Sequence, residues 1–274
     1  MITTKTDTAF VGSVPELYTC YMGPMLFEPY AADLASRVKG MTSGRLLETA
    51  CGTGIVTLAI AAALPEGVAI TATDLNQPML DFAMSQPGGE RVEWQQADAQ
   101  ELPFPDRSFD IVVCQFGVMF FPDKQKAYRE TLRVLKPGGR FLFNVWDRLE
   151  NNDLSFIVHS AVAELFSDDP PMFFQRTPMG YHDIAKVRAD LAGAGFTEST
   201  VETRKLPCRA PSARDAAFGL IQGSPFSAEI TTRDSAGLDR AVAAATGAFA
   251  RRFGPGPIEA SMQAHMLSAT RPLR

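Results

Sequence analysis

The chain has 274 residues, 46% of them hydrophobic and 21% charged, which excludes a disordered or collagen-like protein and leaves enough apolar material for a sizeable core. Its 26 Lys+Arg against 31 Asp+Glu give a net charge of −5 with no long run of either sign, so neither a nucleic acid nor an anionic membrane is expected as a partner. Dense apolar stretches such as 55–64 fall short of the roughly 18–20 residues that cross a bilayer, and residues 1–9 are Thr-rich and polar where an export signal has a basic start and an apolar run, so a cytoplasmic protein is expected.

In chain order, residues 14–38 carry Tyr18, Tyr21, Met22, Met25, Leu26, Phe27, Tyr30, Leu34 and Val38 at helical spacing, with breaks expected at Pro24 and Pro29. This predicts cap helices over 10–40. From 45 to 145 short β-rich runs (45–49, 69–73, 92–95, 110–114, 140–145) alternate with helical stretches (55–63, 78–85, 124–135), the pattern of βαβ units in a doubly wound α/β fold. Lys136-Pro137-Gly138-Gly139 is expected to end the third of these helices. Helices are predicted over 153–166 and 183–194, a strand over 197–206, helices over 213–222 and 238–253, and a last strand over 258–269. No repeat or long flexible linker divides the chain, so residues 1–274 read as one domain, with a core over 44–146 and a helical insertion over 207–257.

Cys20, Cys51, Cys114 and Cys208 are widely spaced and form no Cys-x-x-Cys pair, and His159, His182 and His265 are equally scattered. The cysteines are expected as small core residues and the histidines as satisfied structural ones, and no metal is expected.

The segment from Leu46 to Gly54 runs from an apolar strand into Glu48-Thr49-Ala50-Cys51-Gly52-Thr53-Gly54, a turn that lets backbone amides approach a ligand at a helix N-terminus. Asp74 ends the next strand, twenty residues past Gly54, where a carboxylate can accept from ribose hydroxyls. Thr57 stands where a dinucleotide fingerprint has its third glycine, which weakens a nicotinamide reading, and Asp98 in Ala97-Asp98-Ala99 places a second carboxylate where it can accept from an exocyclic amine.

Together with Asp74-Leu75-Asn76-Gln77-Pro78-Met79-Leu80, Leu102-Pro103-Phe104, Ser108-Phe109-Asp110 and Arg133-Val134-Leu135-Lys136-Pro137-Gly138-Gly139, these residues resemble the class I S-adenosylmethionine-dependent methyltransferases, in particular the small-molecule type 11 group. The likeness covers about 46–145, and this core is similar to that of the quinone-pathway C-methyltransferases; the acceptor region is not. Ala50 departs from the family, which usually has a glycine there. The resemblance implies a Rossmann-like seven-stranded sheet in the order 3-2-1-4-5-7-6 with one antiparallel strand. It also implies S-adenosyl-L-methionine as cofactor, held by Glu48, Thr49, Ala50, Cys51, Gly52, Gly54, Asp74, Leu75, Met79, Asp98, Ala99 and Gln115.

The expected activity is methyl transfer to a small, partly apolar acceptor. Two other readings stay open: a module that binds the cofactor or its product without methylating, and a nicotinamide-dependent oxidoreductase. Residues 114–122 read Cys-Gln-Phe-Gly-Val-Met-Phe-Phe-Pro and lack the motifs of DNA base methylation. An apolar wall of Phe116, Met119, Phe120 and Phe121 is expected beside the methyl group, with Tyr18, Tyr21, Phe218 and Phe226 closing the acceptor side from the cap helices and the insertion. No catalytic base is assigned, and the oligomeric state, a homodimer included, stays open.

Overall fold

Each β-rich run of the first half forms a parallel strand. The computed structural model describes residues 14–254 and 256–273, with β1 (Gly44–Thr49), β2 (Val68–Asp74), β3 (Val92–Gln96), β4 (Phe109–Gln115) and β5 (Leu135–Trp146). With β6 (Glu198–Ala210) and β7 (Ile258–Thr270) they make one sheet in the order β3-β2-β1-β4-β5-β7-β6, β7 running antiparallel to both neighbours. Strand order and the single antiparallel strand are as expected. Leu46, Leu47, Val112, Val113 and Phe143 are fully buried, as central strands covered on both faces require.

The amino-terminal arm departs from expectation in a specific way. It consists of α1 (Val14–Leu17), a π-helical stretch (Tyr18–Phe27) and α2 (Glu28–Val38), continuous through both prolines. The Glu28 amide bonds to the Gly23 carbonyl five residues back, a wider winding in which Pro24 is accommodated, and Pro29 sits in the first turn of α2, where no amide donor is needed. Tyr30 is fully buried and its hydroxyl donates to the Arg204 carbonyl at 2.9 Å, with the Met262 carbonyl at 3.3 Å, fastening α2 to β6 and β7. Residues 1–9, read above as lacking an export signal, and 10–13 of the expected cap lie outside the described residues.

The core helices start and stop where local chemistry directs. α3 (Ile55–Ala63) opens at Gly54, whose φ of +82° is left-handed, and ends before Leu64-Pro65. α4 (Gln77–Met84) takes Pro78 in its first turn, and α5 (Lys124–Val134) is capped by Asp123, whose Oδ1 accepts from the Lys126 amide at 2.8 Å. Right-handed crossovers put α3 and α4 on one face and α5 on the other.

The Lys-Pro-Gly-Gly run follows the end of α5 at Val134, as expected, but the strand begins before it and not at 140. It lies inside β5: Phe109 pairs with Leu135 but Ile111 with Arg140, so residues 136–139 form an irregularity in the strand, eased by Gly138 at φ +77°.

Beyond the core come α6 (Asp153–Leu165), α7 (Phe173–Arg176) and α8 (Ile184–Ala194), then α9 (Ala213–Gln222), α10 (Phe226–Arg233) and α11 (Gly237–Phe253) between β6 and β7. α7 and α10 had no counterpart in the sequence reading. They are short, and neighbouring prolines (Pro170, Pro171, Pro225) hide their periodicity. Of the cysteines, Cys51, Cys114 and Cys208 are buried but Cys20 is exposed, contrary to its expected core place. No helix among the described residues is long and apolar enough to cross a membrane.

Candidate functional site

The strand order reverses between β1 and β4, and a crevice opens there at the carboxyl ends of the strands. It holds a cavity of about 240 Å³. Of the residues assigned to the cofactor from the sequence, Glu48, Ala50, Cys51, Gly52, Asp74, Leu75, Met79, Asp98, Ala99 and Gln115 all line it, contributed by the ends of four neighbouring strands and the loops that follow them. Thr49 and Gly54 do not. Thr49 is buried beside Cys114, with which it shares a hydrogen bond, and Gly54 starts α3. Leu75 is 51% exposed at the lip, which removes core packing as its role.

The loop after β1 is shaped by conformations that most residues avoid. Ala50 and Gly52 have φ of +53° and +57°. At Ala50 this is a strain of order 1–3 kcal/mol that surrounding contacts sustain. Phe116, after β4, is also left-handed at φ +49°; its amide donates to Asn144 Oδ1 at 2.8 Å and its ring stacks on Trp146 at 3.8 Å. A Cβ at Gly117 would lie 2.6 Å from the Ala50 Cβ and 2.7 Å from the Cys114 sulfur, so the alanine in the first loop is matched by a glycine in the second. Gly117→Ala is therefore expected to destabilise the fold by about 1–3 kcal/mol through overpacking, read as a lower urea midpoint, and to weaken ligand binding at the displaced loop.

Two carboxylates face the cavity in different settings. Asp74 is buried, and its two oxygens accept from the Gly52 and Asn76 amides, each at 2.8 Å. The Asn76 side chain also donates to Oδ1, weakly at 3.4 Å, and because a carboxylate has about four acceptor positions, room remains for a ligand's hydroxyls, the second by displacing that long bond. Burial raises its pKa, against the lowering effect of those amides. Asp98 accepts from the Gln100 amide at 2.8 Å and from the Gln100 side chain at 3.2 Å.

Glu48 is 1% exposed and accepts from the Thr57 hydroxyl at 2.6 Å. Burial pushes its carboxyl up to about 8; the Thr57 bond opposes this and the nearby Asp74 charge adds to it. Thr57, the residue that breaks the dinucleotide fingerprint, thus serves Glu48.

The cavity fits an adenosyl amino acid on features of its own. The nearest atom to a Cβ built on Gly52 is Met79 Cε at 4.0 Å, so that space is left for a ligand against bare backbone. Gln115 Nε2 donates to the Phe27 carbonyl at 3.1 Å while its Oε1, like the Thr53 hydroxyl, is buried in the cavity wall without a partner among the described residues. Orphaned polar atoms of this kind need a ligand or water to satisfy them.

Beyond the rings of Tyr18, Phe27, Phe116 and Phe120, which also line the cavity, lies a second space of about 50 Å³. Met22, Trp146, Phe173, Phe174 and Met179 form much of its wall, with the hydroxyl residues Ser155 and Ser224, and no charged side chain among the described residues borders it. The residues expected on the acceptor side divide accordingly. Tyr18 and Phe116 line both spaces. Tyr21 instead packs on Phe218 at 5.2 Å and faces another groove, Met119 is buried and lines a separate pocket with Lys124 and Tyr181, and Phe226 is fully buried against Phe174. Phe218 and Phe226 border neither space; the insertion reaches the chamber through Ser224 and Pro225. Phe173, Phe174 and Met179 come from a stretch for which no element was predicted, and only the apolar run Met172-Phe173-Phe174 after two prolines hinted at them.

Residues 47–143 match the family model described as a methyltransferase domain. The chain is 31% identical over 188 residues to a ubiquinone/menaquinone biosynthesis C-methyltransferase from Azotobacter vinelandii, covering 64% of this chain and 73% of that one. Its fold is similar to the YcgJ protein from Bacillus subtilis (TM-score 0.56, 22% identity, 89% of this chain and 99% of that one). It is also similar to phosphoethanolamine N-methyltransferase 2 from Haemonchus contortus in complex with phosphomonomethylethanolamine and S-adenosylhomocysteine (TM-score 0.60, 18% identity, 94% and 57%).

Proposed function

This chain belongs to the class I S-adenosylmethionine-dependent methyltransferases, and on that premise we propose that it methylates a small, uncharged and largely apolar acceptor seated in the aromatic chamber beside the cofactor cavity. The observation that carries this is the chamber itself, walled by aromatic rings, thioethers and hydroxyls, with no charged side chain among the described residues, and adjoining the cavity along four shared rings. An ammonium or carboxylate acceptor would lose its hydration there without a counter-charge.

S-adenosylmethionine supplies an already activated methyl group on a sulfonium. The chain's own work is alignment and exclusion of water. Asp74 would hold the ribose hydroxyls and Asp98 the adenine amine. Gly52 would offer bare backbone, and Gln115 with Thr53 would meet the amino-acid end. Tyr18 and Phe27, their rings stacked at 4.6 Å, would close the arm over the reacting end.

The test is a panel of small phenols, quinones, amines and carboxylates, scored for consumption of S-adenosylmethionine. Turnover confined to uncharged ring compounds is expected. Turnover confined to charged acceptors would overturn the assignment of the chamber, and a melting temperature unmoved by S-adenosylhomocysteine would overturn that of the cavity.

A further inference from the structure

Among the hydroxyls of the chamber, Ser155 stands apart. The Ser224 hydroxyl is committed, donating to the Leu220 carbonyl at 2.6 Å and accepting from the Phe226 amide at 3.4 Å. Ser155 is 3% exposed and lines the chamber, yet among the described residues no hydrogen bond reaches its hydroxyl. A buried hydroxyl in an apolar wall without a partner forfeits a hydrogen bond unless something entering the chamber supplies it.

A second unpartnered group lies one helical turn further along α6. His159 follows Ser155 by four residues, so both stand on the same buried face, and the Cα–Cβ bonds of a helix tilt towards its amino terminus, which leans His159 towards the Ser155 turn. His159 is more than nine-tenths buried and its Nδ1 has no hydrogen-bond partner among the described residues. The charged groups around it are Glu229 of α10, itself paired with Arg176 of α7, and Glu150 ahead of α6. Burial holds its pKa below the ordinary value against the pull of those carboxylates, so the ring is a neutral acceptor at physiological pH. A histidine buried as simple core filling would have both ring nitrogens bonded. Here an unbonded nitrogen lies one helical turn from a serine that lines the acceptor space.

Resting on the reading that this chamber holds the methyl acceptor, we propose that Ser155 binds the hydroxyl of an uncharged aromatic acceptor and that His159 receives, through Ser155, the proton which that hydroxyl gives up. As the acceptor oxygen forms its bond to the methyl carbon, the carbon–sulfur bond breaks and its electron pair goes to sulfur, leaving the neutral thioether. The acceptor proton passes to the Ser155 oxygen and the Ser155 proton to His159 Nδ1. The positive charge of the sulfonium is thus replaced by that of an imidazolium, later discharged to solvent. Ser155 would touch the acceptor; His159 acts through it as a positioning residue and proton store.

The experiment uses phenol and toluene, a near-isosteric pair that differs by the hydroxyl, titrated by calorimetry into the full chain and its Ser155→Ala variant, with histidine ring resonances followed by NMR. Phenol is expected to bind the wild-type protein and to lose about five- to tenfold in affinity on Ser155→Ala, the loss of roughly one hydrogen bond, while toluene affinity is unchanged. Phenol is also expected to shift the His159 resonances and pKa in the wild type and not in the variant, a response that mere packing would not give. Equal weakening of both probes, no weakening of phenol, a His159 signal indifferent to phenol, or no phenol binding to the wild type would each overturn the proposal. Melting shifts with S-adenosylhomocysteine, measured on the same samples, separate this outcome from failure of the cofactor assignment.

Discussion

Asp74→Ala is expected to weaken S-adenosylhomocysteine binding by two to three orders of magnitude in a protein that still folds. The carboxylate has two tasks in the structure. Its Oδ2 fixes the Gly52 amide and its Oδ1 the Asn76 amide, so it sets the loops on both sides of the cavity, and its remaining acceptor positions are those we assign to the ribose. Hydrogen bonds to a charged acceptor contribute about 1.5–3 kcal/mol each, and losing two of them corresponds to at least a hundredfold. Asp98→Ala should cost about tenfold, because one bond from a neutral amine is lost and Gln100, which now binds Asp98, can turn to the ligand. Calorimetric titration of both variants decides the matter. If Asp98→Ala proved the more damaging, ribose and adenine would have to exchange places; affinity unchanged by Asp74→Ala would remove the cofactor from this end of β2.

What could be read from the amino acids follows from how local each determinant is. Glu48 to Gly54 is one continuous strand-turn-helix whose glycines have a single mechanical meaning, and Asp74 and Asp98 stand at strand ends fixed by the βα spacing, so most of the cavity lining was legible in the sequence. The chamber was not. Its wall combines the π-helical arm, the loop after β4, the end of β5, α6, α7 and the tip between α9 and α10, segments far apart in sequence that meet only through packing. Aromatic periodicity cannot tell a ring that lines a space from one that fills it. Tyr18 lines the chamber while Tyr21, three residues on, turns away towards Phe218, because the π-winding rotates the face that a regular helix would present. Phe226 was read as pocket lining and instead supports Phe174, which is lining.

Strain is concentrated where the two halves of the site meet. Among the described residues only Ala50, Arg107 and Phe116 have left-handed φ without being glycine, and two of the three border the cavity. Each is held by a neighbour: Ala50 by the fit of its methyl against Gly117, Phe116 by Asn144 and by stacking on Trp146. The stacking also couples the loop after β4 to the chamber wall, so strain is carried by residues at the junction of cavity and chamber. Such strain persists only where it is over-determined by its surroundings, as a site that works by alignment requires.

Glu48→Gln should separate stability from binding with opposite signs. The carboxyl is buried with no cation beside it among the described residues, and its pKa is pushed up to about 8, against about 4.3 for an unfolded glutamate. A carboxyl whose pKa is raised by folding costs nothing below the unfolded value. Its penalty grows as pH rises from there to about 8 and is constant beyond, because the folded state must then give up a proton it holds more tightly than the unfolded chain does. The ligand-free wild type is therefore expected to lose stability across that interval, and Glu48→Gln, which keeps an acceptor for the Thr57 hydroxyl but cannot ionise, should melt several degrees higher at pH 8.5 and nearly together with wild type at pH 4.5. Binding runs the other way. A ligand ammonium near Glu48 favours the carboxylate, so S-adenosylhomocysteine binding should expel a proton, and wild-type affinity should climb with pH towards 8 by up to tenfold per unit. The glutamine variant should bind more weakly at pH 8 and lose that slope. Calorimetry in buffers of different ionisation enthalpy measures the proton directly. A variant less stable than wild type at pH 8.5, or a wild-type affinity flat from pH 6 to 8, would show that Glu48 is already charged in the free protein and that another group meets the ammonium.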